Sequence, residues 1–211
     1  MCDTIDEYIL GHISPEPEPL RQLYRHTHLH HLYPRMCSGH LQGRVLKMIT
    51  AMIKPKRVLE LGTFTGYSAL CIAEAMGKDG IIDTVEIYDE MEDELRERFA
   101  NCGLPPKINL HIGDALEIVP KLQGEWDMVY IDANKRHYIQ YYQMIIDRLT
   151  PGGFIVADNT LWDGKVLSEP SGSDAQTHGI MEFNDMIAAD TRVETVILPL
   201  RDGLTLIRKL S

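Results

Sequence analysis

The chain has 211 residues, enough for one α/β domain with a full core. Lys and Arg number 21 against 31 Asp and Glu, a net charge of −10, so broad phosphate neutralisation on nucleic acid is not expected. No apolar run is long enough to cross a membrane, and the first residues, with Asp3, Asp6 and Glu7, carry no apolar leader, so a cytoplasmic protein is expected. Cys2, Cys37, Cys71 and Cys102 are scattered without a C-x-x-C pair, which predicts reduced thiols rather than a disulfide framework or a zinc site.

Residues 1–14 have the composition of a short helix, which Pro15, Pro17 and Pro19 interrupt. Residues 20–32 read as a second helix carrying His26, His28, His30 and His31. His26 and His30 lie four apart and share a face. With no other ligand beside them in sequence, they are read as part of a partly exposed helix and not as a metal site. Tyr33-Pro34-Arg35 is a break. Leu41, Val45, Leu46, Ile49 and Met52 then recur at helical spacing over 40–53, and Pro55 ends that helix. Residues 1–53 are thus an N-terminal helical extension, and 54–211 the main body of a chain with one domain overall.

From 57 on, strands alternate with helices. Strands are predicted at 57–61, 82–86, 108–112, 127–132, 153–158, 193–198 and 204–208, and helices at 67–76, 89–101, 115–121, 137–148 and 178–189. Such alternation predicts a seven-stranded, mostly parallel sheet with helices on both faces. The last two strands are joined by a short turn at Leu200–Gly203, so one strand must run antiparallel.

The carboxyl ends of these strands carry the chemistry. The first runs into Glu60, Gly62 and Gly66 before a helix, a turn that binds ligands in open parallel sheets. Gly62 permits close backbone approach. Glu60 would repel a pyrophosphate and suits a cationic or hydroxyl-rich ligand. The spacing also lacks the third glycine of a dinucleotide loop, so a nicotinamide dehydrogenase is the least favoured reading. Glu86 ends the second strand, where an acid can hold both ribose hydroxyls. Asp114 can cap the helix that starts at Ala115 or meet an adenine. Asp132 ends the fourth strand, and Asp158 with Asn159 ends the fifth. Two carboxylates and an amide oxygen make an oxygen-only donor set that suits Mg²⁺, Mn²⁺ or Ca²⁺. Acids at successive strand ends also arise as caps and turn formers, so these residues by themselves leave both readings open.

Taken together, Val58–Ser68, Gly113–Ala115, Tyr130–Lys135 with Tyr138, Pro151–Gly153, Asp158–Gly164 and Leu198–Leu204 resemble the metal-dependent O-methyltransferases of the catechol and caffeoyl-CoA type. These are small class I S-adenosylmethionine (SAM) enzymes, and the likeness covers roughly residues 33–209. It implies a Rossmann-like fold, SAM as cofactor and a divalent cation, Mg²⁺ for preference. Met36, Glu60, Gly62, Ser68, Glu86, Ala115 and Asp132 match cofactor-contacting positions. Asp132, Asp158 and Asn159 match the metal ligands, Lys135 the general base that works with Asp132, and Trp162 a position beside the acceptor. A homodimer is implied too, with the N-terminal helices as its interface.

The implied reaction is methylation of one hydroxyl of a small catechol-like vicinal diol. Residues 165–180 hold one Lys and no Arg or Tyr, unlike the Arg/Tyr-rich insertion of the plant enzymes, which argues against a CoA-thioester acceptor. The late glutamate of the animal catechol enzymes has no convincing counterpart before Asp202-Gly203. The Gly/Ser-rich 165–180 loop is a candidate lid. An alternative keeps the site but methylates a 5-hydroxyuridine in tRNA; a basic mouth formed by Lys135, Arg136, Lys165 and Arg201 would favour it. A non-catalytic SAM-binding protein is disfavoured by the full set of Asp132, Lys135, Asp158 and Asn159.

Overall fold

The computed structural model describes residues 4–210. Three helices come first: α1 (Ile5–His12), α2 (Glu18–His30) and α3 (Gly39–Ile53). Then follow β1 (Arg57–Leu61), α4 (Tyr67–Ala73), β2 (Ile81–Glu86), α5 (Glu92–Asn101), β3 (Lys107–Ile112), α6 (Ala115–Ile118) and β4 (Trp126–Ile131). The chain closes with α7 (Tyr138–Ile146), β5 (Leu149–Asp158), α8 (Ala175–Ala189), β6 (Val193–Leu198) and β7 (Leu204–Lys209).

All seven predicted strands form one sheet of order β3-β2-β1-β4-β5-β7-β6. The first five are parallel, and β7 inserts antiparallel between β5 and β6. The chain winds outward from β1 to β3, then returns to β4 on the other side of β1. That reversal opens a crevice past the carboxyl ends of β1 and β4.

Helix limits differ from the sequence reading for local reasons. Pro19 sits inside the first turn of α2, where a missing N–H costs nothing. The predicted 115–121 helix is α6 followed by a 3₁₀ turn at Val119–Lys121, because Pro120 cannot donate to the turn before it. α8 starts at Ala175, three residues early, because Asp174 caps it by accepting the Thr177 N–H at 3.1 Å.

Successive strand side chains point to opposite faces. Leu59, Leu61, Val129, Ile131 and Ile155 pack on one face against Tyr138, Tyr142 and Ile145 of α7 and Phe183 of α8. Val58, Met128, Tyr130 and Val156 pack on the other against Leu46 and Ile49 of α3 and Ile72 of α4. So α3, from the N-terminal extension, covers the central strands and reaches their carboxyl ends.

Candidate active site

The loop after β1 is shaped by a neighbouring backbone. Gly62 has φ +95°, and a Cβ there would lie 2.2 Å from the carbonyl oxygen of Asp132. Only glycine allows the loops after β1 and β4 to pass so closely. The close approach expected at Gly62 is therefore made in part by the protein itself.

Glu60 is fully buried beneath this loop. Thr84 Oγ1 donates to its Oε2 at 2.5 Å and shares a second hydrogen bond with Thr63 at 2.6 Å. Oε1 finds no partner among the described residues. Burial pushes the carboxyl up to about 7, against the pull of the Ser68 and Thr84 hydroxyls. Glu86, at the end of β2, accepts backbone N–H groups from Phe64 at 2.6 Å and from Ile87 and Tyr88 at 3.0 Å each. It thereby ties the loops after β1 and β2 together. Asp114 caps α6 by accepting the Leu116 N–H at 2.9 Å.

A cavity of about 870 Å³ opens over these loops, a size that suits a small-molecule site. Met36, Gly62, Ser68, Glu86, Ala115, Asp132, Lys135, Asp158, Asn159 and Trp162 all line it. Glu60 does not. It stands behind the wall, with Ser68 and Thr84 beside it.

The opposite wall gathers the acids. β4 and β5 pair through Ile131 and Ala157, so Asp132 and Asp158 emerge side by side one step further on. Lys135 Nζ donates to Asp132 Oδ1 at 2.7 Å and is only 8% exposed. The ammonium lies 5.4 Å from the Tyr138 ring centroid and 6.0 Å from that of Trp162. Burial, with the Asp158 carboxylate nearby, pushes the Asp132 carboxyl up to about 6, and Lys135 opposes that shift.

Asp158 and Asn159 are steadied by side chains from outside the cavity, whereas Asp132 is paired with Lys135 within it. Asp158 Oδ2 accepts from Gln42 Nε2 at 2.6 Å and Tyr130 OH at 3.2 Å, and its Oδ1 from the Asn159 N–H at 2.8 Å. Asn159, at φ +58°, is one of the residue types that tolerates the left-handed region. Its Nδ2 donates to Asp202 Oδ2 at 3.3 Å, while Asp202 Oδ1 accepts the N–H of Asp163. Arg201 donates to the Ser38 carbonyl and, at 2.9 Å, to Gln42 Oε1, which sets the orientation of the Gln42 amide.

Gln42, Tyr130 and Asp202 support these residues and were missed by sequence reasoning, which gave Arg201 a place only as a basic residue of the mouth. Gln42 had left a signal: it shares a helix face with Leu46 and Ile49, and a polar residue on a buried face implies a partner. Of the four basic residues considered for the mouth, Lys135, Arg136 and Arg201 line the cavity; Lys135 pairs with Asp132, and Arg201, though exposed, donates to Ser38 and Gln42. Lys165 Nζ stands 5.7 Å from the Trp162 ring centroid and 3.9 Å from Asp174, and Arg136 is exposed.

The profile of the O-methyltransferase family matches residues 11–210. The chain belongs to this O-methyltransferase family. It is 35% identical to caffeoyl-CoA O-methyltransferase 2 of Petunia hybrida, over 99% of this chain and 91% of the relative. Among solved structures, the O-methyltransferase TomG of Streptomyces achromogenes, in complex with SAM, is 29% identical with a TM-score of 0.90, covering 98% of this chain and 96% of that one. The SAH-bound methyltransferase PaMTH1 of Podospora anserina is 28% identical with a TM-score of 0.87, over 98% and 94%. The family indicated by the motifs and the fold expected of it thus hold.

Proposed function

We propose that this O-methyltransferase transfers the methyl group of SAM to one hydroxyl of a small catechol-like diol, with a divalent cation held by Asp132, Asp158 and Asn159. The observation that carries the reading is the convergence of those three oxygen donors, Lys135 and Trp162 on one wall of a single cavity. The donor set is all oxygen and comes from adjoining strand ends, which suits Mg²⁺ or Mn²⁺. The facing wall, with Gly62, Ser68, Glu86 and Ala115, suits a hydroxyl-bearing, cationic cofactor. The Glu60 carboxylate behind it adds negative potential when ionised.

When bound, the cation would supply charge that lowers the pKa of an acceptor hydroxyl. SAM would supply a methyl already made electrophilic by its sulfonium. The chain's own residues then do the rest. Lys135 Nζ, acting as the free amine once its own proton has left to solvent, takes the proton of the acceptor hydroxyl as the oxygen–methyl bond forms and the methyl–sulfur bond breaks. Asp132 Oδ1, at 2.7 Å, stands ready to stabilise the ammonium so formed. Trp162 offers an aromatic face beside Lys135, and the rigid strand ends fix the donors so that alignment is built in. A homodimer belongs to the same reading. Ile5 and Tyr8 of α1, and Leu29 and Leu32 at the end of α2, are exposed apolar side chains on the expected interface.

The test is S-adenosylhomocysteine release from SAM with a panel of catechols, as free acids and as CoA thioesters, in Mg²⁺ or in EDTA. Metal-dependent turnover of free diols, lost in Asp132→Ala and Lys135→Ala, is expected. Turnover of CoA thioesters alone would overturn the acceptor class, and turnover undiminished by EDTA would overturn the metal. Light scattering in solution gives the mass and tests the dimer.

A further inference from the structure

The histidine-rich helix α2 gains in three dimensions what it lacked in sequence. His26 and His31, at its carboxyl end, face Glu94 in the first turn of α5. His26 Nε2 lies 3.6 Å from Glu94 Oε1, and His31 Nε2 lies 3.5 Å from Glu94 Oε2. One ligand atom from each of the three residues falls within 4.8 Å of the other two. We propose that His26, His31 and Glu94 form a second metal site, selective for Zn²⁺ or another ion that favours nitrogen ligands.

The separations carry the argument. They are too long for good hydrogen bonds. Ligands at 2.0–2.1 Å around a tetrahedral ion stand about 3.4 Å apart; each ring already lies near that distance from one oxygen of Glu94, and with one atom from each residue inside 4.8 Å a small contraction closes the set. Two imidazoles and a carboxylate also form a known zinc donor set that leaves a fourth position open. Arg98 Nη2 holds Glu94 Oε1 at 2.6 Å, and its Nη1 donates to the Thr65 carbonyl at 2.9 Å. A carboxylate oxygen has a second lone pair, so Arg98 can orient Glu94 while an ion binds it. His31 is packed edge-on against Phe64 at 5.5 Å, and His26 lies against His30 at 4.4 Å, so both rings are already restrained.

The site would differ from the acidic cavity in chemistry as well as place. Oxygen-only donors select hard cations, and imidazoles select Zn²⁺, Co²⁺ or Ni²⁺. Its position gives it leverage. Phe64 belongs to the loop after β1, and Leu32 and Tyr33, just past His31, line the cavity. An ion joining α2 to α5 would pin the backbone under the cavity mouth.

Co²⁺ serves as the probe, added to the full chain in millimolar Mg²⁺. Nitrogen-bound Co²⁺ of low coordination number absorbs strongly in the visible, whereas six-coordinate oxygen-bound Co²⁺ absorbs weakly. The expected result is one equivalent of strongly absorbing Co²⁺, displaced by Zn²⁺ and not by further Mg²⁺. His31→Gln and Glu94→Gln should each weaken it at least tenfold. So should His26→Gln, a substitution at a half-exposed ring that leaves folding intact by circular dichroism. His28→Gln is the control, because His28 instead meets the Tyr24 carbonyl at 2.9 Å. A weak spectrum only, or equal loss in His28→Gln and His26→Gln, would overturn the proposal.

Discussion

The two walls of the cavity are built on different plans. The wall over β1 and β2 is local: Gly62, Ser68 and Glu86 lie in or beside the loops they shape, and backbone N–H groups hold Glu86. The wall over β4 and β5 is assembled from afar. Asp158 is held by Gln42, 116 residues away, and Asn159 by Asp202, 43 residues away. The first wall depends on backbone conformation, whereas the second depends on side chains that meet only after the sheet and α3 have packed. Substitutions can separate the two.

The largest effect is expected where the walls touch. Gly62→Ala places a methyl against the Asp132 backbone, which cannot yield. A loss of roughly 3 kcal/mol or more in urea unfolding, with no measurable methyl transfer, is expected. Retained stability would mean that the loops are slack.

Next comes the wall over β4 and β5 alone. Gln42→Ala strips Asp158 Oδ2 of its shortest hydrogen bond and Arg201 of an acceptor. Mn²⁺ affinity should fall by about 10- to 100-fold, while SAM affinity by calorimetry stays within a factor of two or so. Asp202→Asn should act in the same direction but less, since one acceptor oxygen remains. An equal loss of SAM binding would show that the two walls are not separable.

The wall over β1 and β2 has a pH signature. The Glu60 carboxyl is raised from 4.5 to about 7 in the folded chain by burial. Between those values the unfolded chain has lost a proton that the folded chain keeps, so this group makes stability fall as pH rises through that window. Glu60→Gln removes the slope. Relative to the parent, the variant should be more favoured at pH 8 than at pH 5 in urea unfolding. An unchanged difference between the two pH values would mean that Glu60 is ionised in the fold.

The smallest effect lies outside both walls. Asp174→Ala removes the cap of α8 and should cost about 1 kcal/mol, leaving methyl transfer with short diols nearly unchanged.

The sequence by itself determined the alternation of strands and helices, the antiparallel final pair and the positions of Asp132, Asp158 and Asn159 at strand ends. These rest on local signals: apolar runs with period two or 3.6, glycines at turns, and acids where strands stop. It also carried enough ordered motifs to name the family. Only the tertiary structure decided that α3 reaches the site, that Gln42 and Asp202 steady the donors, and that Glu60 stands behind the cavity wall. It likewise brought Glu94 to His26 and His31, which sequence order keeps more than sixty residues apart. The reason is physical. A strand or a cap is set by neighbours along the chain, but a buried polar side chain is satisfied by whatever group the packed sheet and helices bring to it.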